Sequence, residues 1–221
     1  MVKPITLYSH AKGPNPWKVA IILEELNIPY EPKFLDVVEM KKEPYLKICP
    51  NGRVPTIEDP NTGITLFESG AIIEYLAETY DTKDALSFST SPEKFYQSQW
   101  IHFQMSEQGP YFGQASWFAR IHPETIPSAI DRYFDQIKRV HSVLDRELAG
   151  KEYLVGDKCS IADLSFVTWD LLVPWIFGDR IGEYDAEKTY PNFYAWNQRL
   201  MARPVVQKVV KDREEALTTG H

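Results

Sequence analysis

Strand-like alternation in this chain ends at Phe67, and the sequence beyond it keeps a helical period. That single change of period bounds the fold, because strands that stop so early must form one small sheet. Ile5–Ser9 places Ile5 and Leu7 on one face of a first strand. "GPNP" follows, in which Asn15 fits a helix N-cap and Pro16 the first helical position, where a missing N–H costs nothing. Val19, Ile22, Leu23 and Leu26 keep the spacing of an amphipathic helix, and Asn27 and Pro29 stop it. Residues 30–35 read as a second strand. The three elements make a βαβ unit with parallel strands and a right-handed crossover. Residues 41–48 suit a short helix. Residues 54–58 and Ile64–Phe67 read as an antiparallel hairpin closed by "DPNTG". Ser69 then reads as the cap of a helix carrying Ile72, Ile73 and Leu76.

The polar stretch 81–92, "DTKDALSFSTSP", reads as a connection. It predicts an α/β domain over 1–82, a linker over 83–92 and an all-helical domain over 93–221. In the second domain, residues 95–118 form one long helical stretch. Ile130, Tyr133, Phe134, Ile137, Val140, His141, Leu144 and Leu148 mark another. Residues 161–173 are apolar on nearly every side and predict a buried central helix that Pro174 ends or kinks. Phe193, Trp196 and Leu200 mark a further helix, and residues 205–210 the last.

Composition narrows the partners. The 221 residues are 43% hydrophobic, enough for a sizeable core, and no apolar run reads as long enough to cross a bilayer. With 24 basic and 31 acidic residues the net charge is −7, which argues against nucleic acid as the main partner. The N-terminus runs straight into a strand pattern without a signal-peptide core, and Cys49 and Cys159 are too few for a disulfide framework. Both features point to the reducing cytoplasm. The histidines at 10, 102, 122, 141 and 221 have no ligand spacing, so no metal site is expected.

"NGRVPTIEDPNTGITLFESG", residues 51–70, gathers charged and hydroxyl groups at the ends of two short strands. A surface hairpin does not need them, but a site for a small zwitterion does. Glu68 can accept from an ammonium, while Ser69 and the free N–H groups of the helix it starts can receive a carboxylate. Read alone, Ser69 is an ordinary cap and Glu68 a solvated strand end.

"NGRVPTIED", "LFESGAIIEYLAE" and "LVGDKCSIADLSF" together resemble the cytosolic glutathione transferases, over almost the whole chain. "PNPWKVAIILEELNIPYE" and "RVP" are most similar to the fungal branch related to the yeast nitrogen catabolite repressor. The resemblance implies a thioredoxin-like N-terminal domain, an all-helical C-terminal domain, a homodimer, and glutathione as cosubstrate. It assigns Glu68 and Ser69 to the γ-glutamyl group. It makes Val54-Pro55 a cis bond, with Val54 presenting its main chain to the cysteinyl unit. Lys41 and Arg53 become candidates for the glycyl carboxylate. Arg53 stands where plant-type members have glutamine, in agreement with the fungal branch, and Met40 stands where relatives often have histidine, with Lys42 as a substitute.

The thiol-activating residue lies in "SHAKGPNPWK". Gly13 occupies the plant-type serine position, and the absence of cysteine here argues against disulfide-exchange chemistry. Asn15 remains, in line with the fungal branch, with Ser9, His10 and Tyr8 as fallback donors. Lowering a thiol's pKa from about 8.5 by about two units requires about 2.7 kcal/mol. A helix N-terminus contributes up to about 1–2 kcal/mol and hydrogen bonds to the anion add about 1.5–3 kcal/mol. "SIAD" at 160–163 is a capping box with Asp for Glu and is assigned to structure.

An apolar electrophile is expected to enter between the domains against Tyr111, Phe112, Trp117 and Trp169, where aromatic walls suit flat substrates. Gln104 and Glu107 on the first long helix are candidates to reach a partner subunit's γ-glutamyl group. The expected activity is conjugation of glutathione to an electrophile, with hydroperoxide reduction as a companion reaction and detoxification as the setting. The alternatives are a glutathione-binding regulator or scaffold, and a glutathione-dependent isomerase or ether-cleaving enzyme of a fungal pathway.

Overall fold

A computed structural model describes residues 2–219; His221, the last of the five histidines, lies outside them. Of these, residues 2–87 and 202–219 form one compact unit and residues 88–201 another.

The first unit is built on β1 (Ile5–Ser9), α1 (Pro14–Glu25), β2 (Tyr30–Phe34), α2 (Tyr45–Ile48), β3 (Thr56–Asp59), β4 (Ile64–Phe67) and α3 (Ser69–Tyr80). The strand order is β2-β1-β3-β4. β1 pairs in parallel with β2, Leu7 opposite Pro32, while β3 runs antiparallel to β1 and β4, as the βαβ and hairpin readings require. Ile5, Leu7 and Ile57 from the sheet and Ile72, Ile73 and Leu76 from α3 are fully buried. Burying such side chains stabilises by about 1.5–3 kcal/mol each.

Two helix starts differ from expectation. α1 begins at Pro14 with Gly13 as its N-cap, so Asn15 stands inside the first turn instead of capping it. α3 begins at Ser69 itself, with Glu68 as N-cap at φ +72° and ψ 114°. The stretch 41–48 divides into a 3₁₀ turn at Glu39–Lys41 and the short α2. Asp59 anchors the end of β3. Its buried carboxylate accepts from the hydroxyls of Tyr75 (2.7 Å) and Tyr80 (2.5 Å) and from the Asn61 backbone N–H (2.8 Å).

The last helix, α12 (Pro204–Thr218), packs on α1 within this first unit. Arg203 makes two parallel bonds to Glu25 (2.6 and 2.9 Å), and Lys208 bonds Glu24 at 2.6 Å.

In the second unit the long first helix is α4 (Glu93–Phe103) and α5 (Gly109–Ser116), each followed by a π-helical turn, at Gln104–Gln108 and Trp117–Ile121. α6 (Pro127–Glu147) buries Phe134, Ile137, Val140, His141 and Leu144 on one stripe. The central apolar stretch is three short helices, α7 (Ile161–Leu164), α8 (Val167–Asp170) and α9 (Val173–Phe177), with Pro174 in the first turn of α9. Ile161–Glu183 (23 residues) is long and apolar enough to span a bilayer by composition, with a mean hydropathy of 1.3 over its most apolar stretch, contrary to the sequence reading. Its most apolar stretch is 72% buried in the protein, however, and the breaks make it a core segment. The Ser160–Asp163 capping box is present. Asp163 also accepts from Leu154 N–H (2.8 Å) and Trp196 Nε1–H (2.9 Å), so it ties the cap to α11 (Pro191–Met201). α10 (Ala186–Thr189) completes the unit.

Candidate functional site

A hollow on the first unit is lined by Asn15, Cys49, Asn51, Arg53, Val54, Pro55, Phe67, Glu68 and Ser69. Its walls are the first turn of α1, the segment before β3, and the junction of β4 with α3. Each is held by a local device that the sequence encodes.

The segment before β3 is fixed by its carbonyls. The Arg53 carbonyl accepts from Tyr45 Oη (2.7 Å) and from the Cys49 thiol (3.2 Å). Lys41 Nζ donates to the carbonyls of Asn51 (3.2 Å) and Gly52 (2.6 Å). Gly52 sits at φ +59°, and a Cβ there would stand 2.7 Å from the Met40 carbonyl, so only glycine lets the two segments meet. The Val54-Pro55 peptide is cis. Val54 therefore lines the hollow on a main chain anchored from both sides.

At the junction of β4 and α3, Glu68 is exposed and Ser69 is buried, both on the hollow. The N–H groups of the first turn of α3 have no carbonyl ahead of them in the helix. Glu68 holds a backbone conformation that L-residues rarely adopt, which marks it as a position kept for its side chain. Beneath it, Lys18 of α1 is fully buried and donates through Nζ to Ser69 Oγ at 3.1 Å. Burial pulls its ammonium down to about 7, opposed by the field of Glu68.

Of the thiol-activation candidates, Asn15 alone lines this hollow. Ser9 is buried and faces a different hollow, with Leu7, Trp17 and Ala216. His10 lines a third, with Lys12, Phe34 and Asp36, and its Nδ1 contacts the Leu35 carbonyl at 3.1 Å. Tyr8 donates to Glu58 at 2.7 Å; burial and that carboxylate push its phenol up to about 12, the wrong direction for accepting a proton near neutrality. Of the glycyl-carboxylate candidates, Arg53 is exposed on the hollow, while Lys41 is engaged with the carbonyls that shape it. Asn51, Cys49 and Phe67 were not singled out by sequence reasoning. Lys18 was not singled out either; it stands four residues before Ile22, so the helical stripe carries its side chain inward.

The four aromatic candidates of the second unit separate into two pairs. Phe112 is fully buried, edge-on to His141, and Trp169 is 8% exposed along Gly109 and Gly113 of α5. Both belong to the core rather than to a substrate wall, because glycines four apart open a groove that an indole fills. Tyr111 lies 6.4 Å from Tyr133 with the rings tilted and remains half-buried, and Trp117 is exposed. Gln104 is fully buried and bonds Gln108 at 2.9 Å, and Glu107 pairs with Arg139, so neither extends freely from the helix. Among the described residues no group of three or more His, Cys, Asp or Glu is placed to hold a metal ion.

A β2-β1-β3-β4 sheet with a cis-proline at the start of β3, joined to an all-helical unit, defines a thioredoxin-like domain with a helical companion. The family models described as "Glutathione S-transferase, N-terminal domain" and "Glutathione S-transferase, C-terminal domain" match residues 3–78 and 110–204. The chain is 47% identical over 211 residues to glutathione S-transferase-like protein OpS6 of Beauveria bassiana, covering 94% of this chain and 95% of that one. It is 45% identical over 222 residues to glutathione S-transferase 2 of Schizosaccharomyces pombe, covering 96% of each. Among solved structures it is similar to the glutathione transferase URE2P8 of Phanerochaete chrysosporium with oxidized glutathione (TM-score 0.92, 38% identity, covering 99% and 98%). It is also similar to Ure2p5 of that organism, cocrystallized with 1-(S-glutathionyl)-2,4-dinitrobenzene (TM-score 0.91, 36% identity, covering 100% and 99%). The chain belongs to the glutathione S-transferase family and is a glutathione transferase. Within that family it lies in the fungal branch related to URE2.

Proposed function

We propose that the hollow binds glutathione as a cosubstrate and delivers its thiolate to an apolar or aromatic electrophile. The observation that carries this reading is the placement of Glu68 and Ser69 at the head of α3, on the same hollow as Asn15 in the first turn of α1. The γ-glutamyl ammonium bonds to Glu68, and its carboxylate to Ser69 Oγ and the first N–H groups of α3. Val54 offers its main chain to the cysteinyl unit, and Arg53 its guanidinium to the glycyl carboxylate. This places the sulfur near Asn15 and the helix start, where an amide N–H and the dipole favour thiolate over thiol. Asn15 donates to the sulfur but does not take the proton, which leaves to water.

With an aryl halide, the sulfur–carbon bond forms, the carbon–halogen bond breaks, and halide leaves. With an organic hydroperoxide, two glutathione molecules are oxidised to the disulfide while the hydroperoxide is reduced to alcohol and water. The conjugate cocrystallized with Ure2p5 supports the aryl reading. Tyr111 and Trp117, the two candidate aromatics not committed to the core, are the residues offered to the electrophile. The two cysteines are buried thiols, which suits a cytoplasmic detoxifying enzyme, and a homodimer is the expected assembly.

Turnover of aryl halides, hydroperoxides and vinyl ketones with glutathione tests the activity. Activity with at least one class is expected, and binding of glutathione with activity toward none would leave a regulator or scaffold. Sedimentation tests the assembly, and a 25.5 kDa species at micromolar concentration would refute the dimer.

A further inference from the structure

The segment before β3 is held from beneath by a buried phenol. Tyr45, at the start of α2, packs with Tyr8, Met40 and Cys49. Its Oη lies 2.7 Å from the Arg53 carbonyl and 2.9 Å from Thr56 Oγ1. A phenol carries one proton, and a carbonyl only accepts. That proton therefore goes to Arg53, and the Thr56 hydroxyl donates to Tyr45 Oη. Burial holds the phenol above its ordinary value, so its proton stays in place. A single oxygen atom thus joins residue 53 to residue 56 across Val54 and Pro55. Bulk alone would be supplied by phenylalanine, which has no buried hydroxyl to satisfy.

We infer that Tyr45 is a positioning residue for glutathione: its hydroxyl ties Arg53 to Thr56 and so sets the direction in which the Val54 main chain meets the cysteinyl unit.

This inference rests on the glutathione reading of the hollow. A peptide unit is planar, so the carbonyl of Arg53 and the N–H of Val54 turn together. In the trans form, which this peptide adopts, the two point in opposite directions. The Arg53 oxygen takes a second bond, from the Cys49 thiol at 3.2 Å, so both of its lone pairs are engaged by buried donors. Its direction is set, and the Val54 N–H is held facing away from those donors. The other end of the span is equally fixed, because Thr56 is fully buried and stands between Tyr8 of β1 and Phe67 of β4 in the sheet. A main chain tied at both ends loses little freedom when a ligand binds, so its contacts show more fully in affinity. Without the Tyr45 hydroxyl, the Arg53 carbonyl keeps only the weak thiol donor, and the Thr56 hydroxyl loses the acceptor it uses.

Two variants remove the tie from its two sides. Tyr45→Phe keeps the ring and deletes the hydroxyl, and Thr56→Val keeps the branched shape and deletes the other arm. Titration calorimetry should show glutathione bound about fivefold or more weakly by each. The double variant should bind no more weakly than the weaker single one, because the two groups act as one tie. γ-Glutamylcysteine, which lacks the glycyl unit offered to Arg53, should lose affinity by the same factor. At saturating glutathione, thiolate absorbance against pH should show a raised pKa of the bound thiol in both variants, since a cysteinyl unit released from Val54 carries its sulfur away from Asn15.

Lower melting temperatures with unchanged glutathione affinity and an unchanged thiol titration would make Tyr45 a structural residue and overturn the inference. Losses that multiply in the double variant would overturn it too, because Tyr45 and Thr56 would then act separately. A loss for glutathione but not for γ-glutamylcysteine would place the effect at the Arg53 guanidinium and refute the role at Val54. If Tyr45→Phe does not fold, Thr56→Val decides by the same affinity and titration. Wild type that binds no glutathione would instead remove the reading on which this one rests.

Discussion

Glu68 offers a test in which stability and binding move in opposite directions. Its backbone lies at φ +72° and ψ 114°, a region in which a non-glycine residue costs about 1–3 kcal/mol. Glu68→Ala keeps the Cβ and therefore the strain, and removes only the carboxylate. Glu68→Gly removes both. Glycine loses more chain entropy on folding, by about 0.5–1 kcal/mol. The net effect of Glu68→Gly is a gain of about 0.5–2 kcal/mol over Glu68→Ala, which for a chain of this length is about 1–8 °C in melting temperature. Both variants lose the acceptor for the γ-glutamyl ammonium and should bind glutathione about 1.5–3 kcal/mol more weakly, as for a hydrogen bond to a charged group. The assays are thermal unfolding without ligand and calorimetric titration with glutathione. A glycine variant that melts below the alanine variant would show that the backbone at 68 stores no strain. Unchanged glutathione affinity in both would remove Glu68 from the site.

Asn15→Ala should raise the pKa of bound glutathione and shift the pH–rate curve upward, each unit equal to about 1.4 kcal/mol of thiolate stabilisation, with glutathione affinity nearly unchanged. Thiolate absorbance of the binary complex against pH reads it, and Ser9→Ala and His10→Ala, which face other hollows, should do much less. The Asp59 carboxyl is held below its usual range: burial raises it, but the Tyr80, Tyr75 and Asn61 bonds together outweigh that. A carboxyl depressed on folding adds stability above its unfolded value of about 4 and loses it as pH falls through the folded value. Denaturant titrations should therefore show Asp59→Asn less stable than wild type at pH 7 and converging on it as pH falls through the depressed folded value. Ser160→Ala should cost about 1–2 kcal/mol of stability with kcat and KM unchanged, because it removes one arm of the capping box; a selective loss of kcat would refute the structural assignment.

The sheet was legible because its strands are short and amphipathic and its hairpin carries a turn-rich connection: Ile64–Phe67 and the parallel β1–β2 pair stand where alternation places them. The helix starts were less so. Asn15 and Ser69 each satisfy cap statistics, yet the caps are Gly13 and Glu68, because both residues also suit a first helical turn and the pattern does not fix the boundary to a residue. Breaks in the helical unit were hidden for a similar reason. Residues 161–173 are apolar all round, so the pattern gives no phase from which to read where the helix is interrupted. Phe112 and Trp169 look like wall residues in sequence, and only packing against His141, Gly109 and Gly113 shows them as core. Lys18 is the reverse case, a charged residue whose burial the helical stripe implied but whose partner, Ser69, lies 51 residues away.

The most direct test of the account is a crystal structure of this protein with glutathione. It should show the γ-glutamyl ammonium on Glu68, the adjoining carboxylate on Ser69 Oγ and the head of α3, the cysteinyl main chain on Val54, and the sulfur within hydrogen-bond distance of the Asn15 amide. Glutathione bound with its γ-glutamyl end at Arg53, or with its sulfur beside Ser9 or His10 and remote from Asn15, would contradict it.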